Sequence, residues 1–136
     1  MIYESTISYV GVNDKGNDVV VKESYILQDK ESFGDVENTM LSEFSNILTD
    51  MDVIAIKRSR IKEVANSSAD DDDKIYLATI ADIFIDDNSN EKEIKYVIAL
   101  FAKTFDSAKA FISEYLKQGY NMQLKSLKET KFVGVI

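Results

Sequence analysis

The densest group of residues able to bind an anion lies in segment 53–64, where an apolar strand-like run leads into four basic side chains within six residues. They are Lys57, Arg58, Arg60 and Lys62. Side chains alternate along a strand, which predicts Lys57 on one face and the other three on the opposite face, about 6 to 7 Å apart. Phosphates of an extended single strand have similar spacing, so the segment indicates a phosphate-binding row.

A second basic segment, 124–135, repeats the pattern more sparsely. Its cations are Lys125, Lys128 and Lys131. We expect them to extend the row, with Tyr and Phe side chains of neighbouring strands stacking on bases. Both segments also fit two purely structural roles, because cations on an edge strand prevent edge-to-edge aggregation and can pair with acids of the same chain.

Two acidic segments invite comparison with a calcium site. The aspartates of 70–73 are consecutive, whereas a calcium loop needs alternating ligands and a turn that glycine permits. Segment 86–91 is rich in Asp and Asn, but it aligns with the turn at 13–17 and fits a hairpin turn better. We therefore predict no metal site.

The composition removes the residues on which most enzymes depend. The chain has no His and no Cys, which excludes thiol chemistry and the usual nucleophile, general-base and zinc-ligand sets. Asp82, Asp86 and Glu93 could supply paired carboxylates, but no companion Lys or Tyr cluster completes a site. We predict a binding protein with no catalytic residues and no cofactor.

The formal net charge is -8, from 24 acidic and 16 basic residues. Such a body repels nucleic acid and anionic membranes, so any anion binding must be local. No apolar run approaches the roughly 20 residues of a membrane span, and the N-terminus lacks a signal-peptide pattern. We expect a location in the cytoplasm of a bacterial host, without membrane association.

Hydrophobic periodicity over the 136 residues predicts an α+β fold of six mostly antiparallel strands and two helices. The predicted strands cover 2–12, 18–28, 53–64, 74–87, 93–103 and 122–136. The first helix is predicted over 33–48 with Ser32 as N-cap, and the second opens at Thr104 and stops at Gly119.

The second half of the chain repeats the first at an offset that drifts from 73 to 71 residues; Tyr3 matches Tyr76, for example, and Lys57 matches Lys128. We therefore predict a single domain, 1–136, of two ββαβ units related by a pseudo-twofold. The units span 1–66 and 74–136 and are joined by the acidic linker 67–73. One helix leaves part of the apolar sheet surface of its unit uncovered. We expect this surface to be buried by packing of the two units against each other, within one chain or with the help of a homodimer.

Three short motifs stand within this order of elements: Ser32-Phe33 with Val36, Ile56-Lys57-Arg58, and Thr104-Phe105 with Ala108. With this order they resemble a bacterial and bacteriophage family, domain of unknown function 4494. The chain departs from the family at 70–73, and Tyr3 and Tyr76 stand where other members carry Trp and Cys. The resemblance implies the fold and a phage or bacterial origin, and it implies no established activity.

Two functional hypotheses follow. In the first, a small non-enzymatic phage or bacterial protein binds single-stranded DNA or RNA through the seven cations of the basic segments. In the second, an acidic protein-interaction factor occupies the basic groove of a host protein as a nucleic-acid mimic, which the acid excess and segment 70–73 suggest. The corresponding partners are a single-stranded nucleic acid, a host protein, or a second copy in a homodimer.

Overall fold

Runs rich in β-branched and aromatic residues form strands, and two amphipathic segments form helices, in a computed structural model that describes all residues, 1–136. The elements are β1 (Tyr3–Val12), β2 (Asp18–Leu27), α1 (Phe33–Phe44), β3 (Thr49–Arg58), β4 (Ile61–Val64), β5 (Lys74–Ile85), β6 (Glu91–Ala102), α2 (Phe105–Leu116), β7 (Met122–Glu129) and β8 (Phe132–Val135). The predicted α+β class is confirmed. Neither helix has the length and apolar character that a membrane crossing requires.

Two tight turns fix the hairpins β1–β2 and β5–β6. The side-chain oxygen of Asn13 accepts two backbone N–H groups of the first turn at 2.9 and 3.0 Å, and Gly16 adopts a φ of 78°. In the second turn the carboxylate of Asp86 accepts two N–H groups at 2.9 Å, and Ser89 takes a φ of 64°. The predicted turns at 13–17 and 86–91 are therefore confirmed, with an Asx-type bond closing each.

The first compact unit comprises Met1–Ser59 and Lys131–Ile136. Its sheet has the strand order β3-β1-β2-β8. Helix α1 begins at the predicted N-cap, where the Ser32 hydroxyl accepts the Asp35 N–H at 3.1 Å. The helix packs on one sheet face around a buried cluster of Tyr3, Ile7, Tyr25, Leu27, Val36 and Met40.

The second compact unit comprises Arg60–Thr130. Its sheet has the strand order β4-β6-β5-β7. Helix α2 begins after Thr104, whose hydroxyl accepts the Ser107 N–H at 3.1 Å. Its buried cluster contains Tyr76, Ala78, Ile80, Ile98, Leu100, Ala102, Ala108 and Ile112.

The prediction of six strands is wrong, because the structure has eight strands in two sheets. Each strand predicted to close a ββαβ unit is broken, at residues 59–60 and at residues 130–131. After each break the chain joins the other sheet, so that β4 pairs with β6 and β8 pairs with β2, both in parallel. Periodicity reports that a segment is extended, but not which edge supplies its backbone partners.

The breaks also move the boundaries of the compact units away from the predicted ones. The first segment of the first unit ends at Ser59 rather than at 66, and residues Lys131–Ile136 also belong to this unit. The acidic segment 67–73 lies wholly inside the second unit. Composition marked 67–73 as a boundary because it is polar and solvated, but a solvated loop inside a unit has the same composition.

Helix α1 is four residues shorter than predicted, ending at Phe44 rather than 48. Residues 45–48 form a turn that leads into β3 at Thr49. Ile47, which belonged to the predicted apolar stripe, is 73% exposed. Strand β3 begins at Thr49 rather than at the predicted residue 53, and the helix ends before the turn that leads into this strand.

Replacing Met40 by Ala should destabilise the protein by about 2 to 5 kcal/mol, because a buried side chain leaves a cavity. Met40 is completely buried in the cluster of the first unit. Ile47→Ala is the matched control and should change the free energy of unfolding by less than about 0.5 kcal/mol. Urea denaturation measures both, and an equal loss for the two variants would place Ile47 in the core, contrary to the structure.

Deleting residues 132–136 should loosen the first unit rather than the second. The N–H of Ile136 donates to the Ile26 carbonyl at 2.8 Å, and the N–H of Gln28 donates to the Ile136 carbonyl at 3.0 Å. Amide exchange at Gln28 should accelerate by about tenfold or more, while the β5–β6 amides keep their protection. Hydrogen exchange followed by NMR tests this; loss of protection centred on β5 would instead favour the predicted unit 74–136.

Candidate nucleic-acid interface

The face of the first sheet opposite α1 carries a pocket with two of the predicted cations. Tyr3 and Ile7 point towards the helix, so the alternating residues Glu4 and Thr6 point to the other face. The pocket has a volume of about 270 Å³. It is lined by Glu4, Thr6, Ser24, Ala55, Lys57, Lys131 and Phe132. We call it the lysine pocket.

Strand register accounts for the meeting of these side chains. Across β1, Thr6 is opposite Ser24 of β2 on one side and Ala55 of β3 on the other. Glu4 is opposite Lys57. Directly paired residues share a face, which brings side chains from separate strands together. The parallel pairing of β8 with β2 then places Phe132 opposite Ser24 and brings Lys131 to the same rim.

The charged groups of the lysine pocket are two ammonium groups and one carboxylate. Lys57 Nζ lies 3.7 Å from Glu4 Oε1, with the lysine side chain 73% exposed and the glutamate side chain 20% exposed. Lys131 is exposed and makes no ion pair within 4 Å. The lining therefore carries an excess of one positive charge, in a molecule whose total is negative.

Two hydroxyls supply neutral polar groups to the same pocket. Thr6 Oγ1 and Ser24 Oγ are hydrogen-bonded to each other at 2.7 Å, and either atom can be the donor. A hydroxyl pair can reorient its hydrogens towards an incoming acceptor. Ammonium groups beside hydroxyls match the oxygens of a phosphate, for which charge-assisted hydrogen bonds are the strong ones.

The four cations of 57–62 do not lie on one strand, as the predicted row requires. Arg58 is the last residue of β3, Arg60 lies in the connection, and Lys62 is in β4. Lys57 and Arg58 belong to the first unit, and Arg60 and Lys62 belong to the second. The row assumed one strand through 57–62, and the break at Ser59 and Arg60 removes that assumption.

Two of the predicted cations of the second unit have partners within the chain. The Lys62 ammonium lies 4.3 Å from the centroid of the Tyr96 ring, a cation–π contact. Lys125 Nζ lies 3.8 Å from Glu93 Oε1, whereas Lys128 is exposed on β7. All seven predicted residues lie on edge strands or on the connections between them. This is also the position that protection against edge-to-edge aggregation requires.

Glu4, Thr6, Ser24 and Phe132 line the lysine pocket but were not predicted from the sequence. The sequence does contain a signal for two of them. The turn at 13–17 fixes the register of the β1–β2 hairpin, and counting residues outward from that turn pairs Thr6 with Ser24. No comparable signal exists for Phe132, since its strand joins the sheet from a distant part of the chain.

The acidic segment 70–73 holds its own loop together. The carboxylate of Asp73 accepts the N–H groups of Ala69 at 2.8 Å and of Asp70 at 3.2 Å. Asp70 Oδ2 lies 2.7 Å from Lys103 Nζ, and the hydrogen bond from Lys103 lowers the pKa of the Asp70 carboxyl. No group of three or more acidic side chains is arranged to hold a metal ion.

Comparison with known proteins identifies the family. Neither the curated proteins nor the solved structures contain a significant match to the chain. The model of the family described as domain of unknown function 4494 matches residues 1–136. The resemblance carried by the helix starts and by the Ile56-Lys57-Arg58 motif is thus confirmed over the whole chain, and the protein belongs to that family.

Proposed function

We propose that this protein binds single-stranded nucleic acid through the lysine pocket of its first unit. The observation that carries the proposal is that Lys57 and Lys131, distant in sequence, line one pocket. Two ammonium groups on one rim can hold a phosphate between them. In an acidic molecule, this local excess of positive charge is where the electrostatic attraction for a polyanion is strongest.

The other lining residues suit a nucleotide. Phe132 adds an aromatic side chain, and a base stacked on an aromatic ring contributes about 1 to 3 kcal/mol without demanding a particular sequence. The Thr6 and Ser24 hydroxyls can donate to phosphate or sugar oxygens. An exposed single strand offers both its phosphates and its bases to such a pocket, whereas a duplex keeps its bases stacked inside.

The remaining predicted cations have graded roles in this proposal. Arg58 is paired with Tyr3 across β1, so it lies on the sheet face that carries α1, away from the lysine pocket, and its contact with nucleic acid stays a prediction. Arg60 and Lys128 belong to the second unit and lack ion pairs, and their contact with nucleic acid stays a prediction. Lys62 and Lys125 already interact with Tyr96 and Glu93 and contribute least. Because the whole molecule carries a charge of -8, binding is weak and strongly salt-dependent.

The duplication that the sequence indicates is part of the same proposal. Both sheets follow one plan, in which β1, β2, β3 and β8 correspond to β5, β6, β7 and β4. Both helices have 12 residues and a hydroxyl N-cap. These correspondences support descent from one repeated ββαβ segment. The pseudo-twofold, the single domain, the bacteriophage or bacterial origin and the cytoplasmic location stay predictions.

The hypothesis of an acidic factor that mimics nucleic acid also stays a prediction, and so does the absence of enzymatic activity. The segment that motivated the mimic uses two of its carboxylates internally. Asp73 closes its own loop, and Asp70 pairs with Lys103. This leaves fewer free charges on 70–73 than the mimic requires.

Removing both lysines of the pocket should abolish most of the binding. For the double variant Lys57→Gln, Lys131→Gln, we expect affinity for labelled single-stranded DNA or RNA to fall by about tenfold or more at low salt. The slope of log K against log salt should become shallower by about 0.7, because the two lysines hold one phosphate and each lost phosphate contact on a single strand contributes about 0.7. Fluorescence anisotropy measures both quantities.

The matched control is Lys15→Gln, Lys109→Gln, which changes the net charge equally at two exposed lysines that do not line the pocket. It should keep affinity within about twofold of the original protein, apart from the long-range charge effect. Absence of binding at low salt, or an equal loss in the two double variants, would refute the proposal.

Replacing Glu4 by Gln should strengthen binding. Glu4 pairs with Lys57 at 3.7 Å and repels an approaching phosphate. A unit charge at such a distance in a water-exposed site contributes on the order of 1 kcal/mol, so we expect affinity to rise about three- to fivefold. Glu37→Gln on α1, which packs on the other face, is the control and should leave affinity nearly unchanged. Unchanged or weaker binding by the Glu4 variant would argue against phosphate contact in the pocket.

A further inference from the structure

A second pocket lies in the second unit, between the C-terminal half of α2 and strand β4. Its volume is about 450 Å³, within the range of ligand-binding pockets. It is lined by Glu63, Ala65, Phe111, Glu114, Tyr115 and Gln118. We call it the carboxylate pocket. None of the seven predicted cations lines it.

The charged residues that line the carboxylate pocket are both acidic. Glu63 and Glu114 are both exposed, and no basic side chain belongs to the lining. The last turn of α2 contains no basic residue, and the carbonyl end of a helix carries partial negative charge. The pocket therefore favours a cationic group.

One oxygen of the Glu63 carboxylate is engaged by the protein. The Tyr115 hydroxyl donates to Glu63 Oε1 at 2.6 Å. Burial, followed by this hydrogen bond, raises the pKa of the Tyr115 hydroxyl, so it stays a donor under ordinary conditions. With Oε1 engaged from the protein side, the carboxylate can present Oε2 to a ligand.

Two aromatic side chains, Phe111 and Tyr115, line the same pocket as these carboxylates. The Phe111 and Tyr115 rings are stacked, with centroids 6.4 Å apart and an angle of 29° between their planes. A guanidinium group is planar, stacks on aromatic faces and can bind carboxylates with two parallel hydrogen bonds, whereas an ammonium group is a compact point charge. Aromatic rings together with carboxylates in one pocket thus favour arginine over lysine.

One cation of the chain already touches Glu114 and must be displaced. Lys117 Nζ lies 2.9 Å from Glu114 Oε1, with the two side chains 71% and 74% exposed. Exposed pairs of this kind contribute little to stability. Exchange of Lys117 for a better-matched guanidinium is therefore inexpensive in free energy.

We propose that the carboxylate pocket binds an arginine side chain of a partner protein. The arginine stacks on Phe111 and Tyr115 and donates to Glu63 and Glu114. This site lies in the second unit and does not depend on nucleic-acid binding by the lysine pocket in the first.

Two short peptides test the proposal on the unaltered protein, acetyl-Gly-Arg-Gly-amide and the same peptide with citrulline in place of arginine. Citrulline keeps the shape of the side chain but has no charge. In ¹H–¹⁵N NMR titrations the arginine peptide should shift the amides of 63–65 and 111–118, with an affinity about tenfold or more above that of the citrulline peptide. Equal affinities, or shifts located elsewhere, would overturn the proposal.

Carboxylate variants provide the second arm. Glu63→Gln, Glu114→Gln should reduce binding of the arginine peptide to the level of the citrulline peptide, while thermal unfolding verifies that the variant is folded. The control Glu37→Gln, Glu43→Gln makes the same charge change at two exposed positions of α1 and should retain binding. Retention of full affinity by the Glu63, Glu114 variant would refute the assignment.

Discussion

The structure depends on the parallel backbone pairing of two short strands, β4 on β6 and β8 on β2. Each of the two sheets obtains its fourth strand from the opposite half of the sequence through this pairing. The hydrogen bonds of Ala65 to Ala99 and of Ile136 to Ile26, both 2.8 Å, extend the two ladders beyond the strands. The same pairing brings Lys131 to the rim that already carries Lys57, so the candidate site exists only because β8 joins the first sheet.

Local chemistry in the sequence predicted the local parts of the fold. The hairpin turns follow from Asn13 and Asp86, whose side chains close the turns. The helix starts follow from the hydroxyls of Ser32 and Thr104. Each of these features is decided by residues a few positions apart, which is the range over which sequence patterns are reliable.

Contacts between residues that are far apart in the sequence could not be predicted. An extended pattern through 57–62 does not reveal that the chain changes sheets at Ser59 and Arg60. Charge density identified Lys57 and Lys131 as candidates, but their meeting in one pocket depends on the register of β8 against β2. The carboxylate pocket was missed for the same reason, since Glu63 and Tyr115 meet only through the packing of α2 near β4.

The interleaved order of the strands has a consequence for synthesis on the ribosome. The second unit is one continuous segment, Arg60–Thr130, whereas the first unit needs Lys131–Ile136 to complete its sheet. Nascent chains fold vectorially as they emerge. The first unit therefore cannot complete its sheet during synthesis of the second unit. One edge of β2 stays unpaired until β8 has left the exit tunnel.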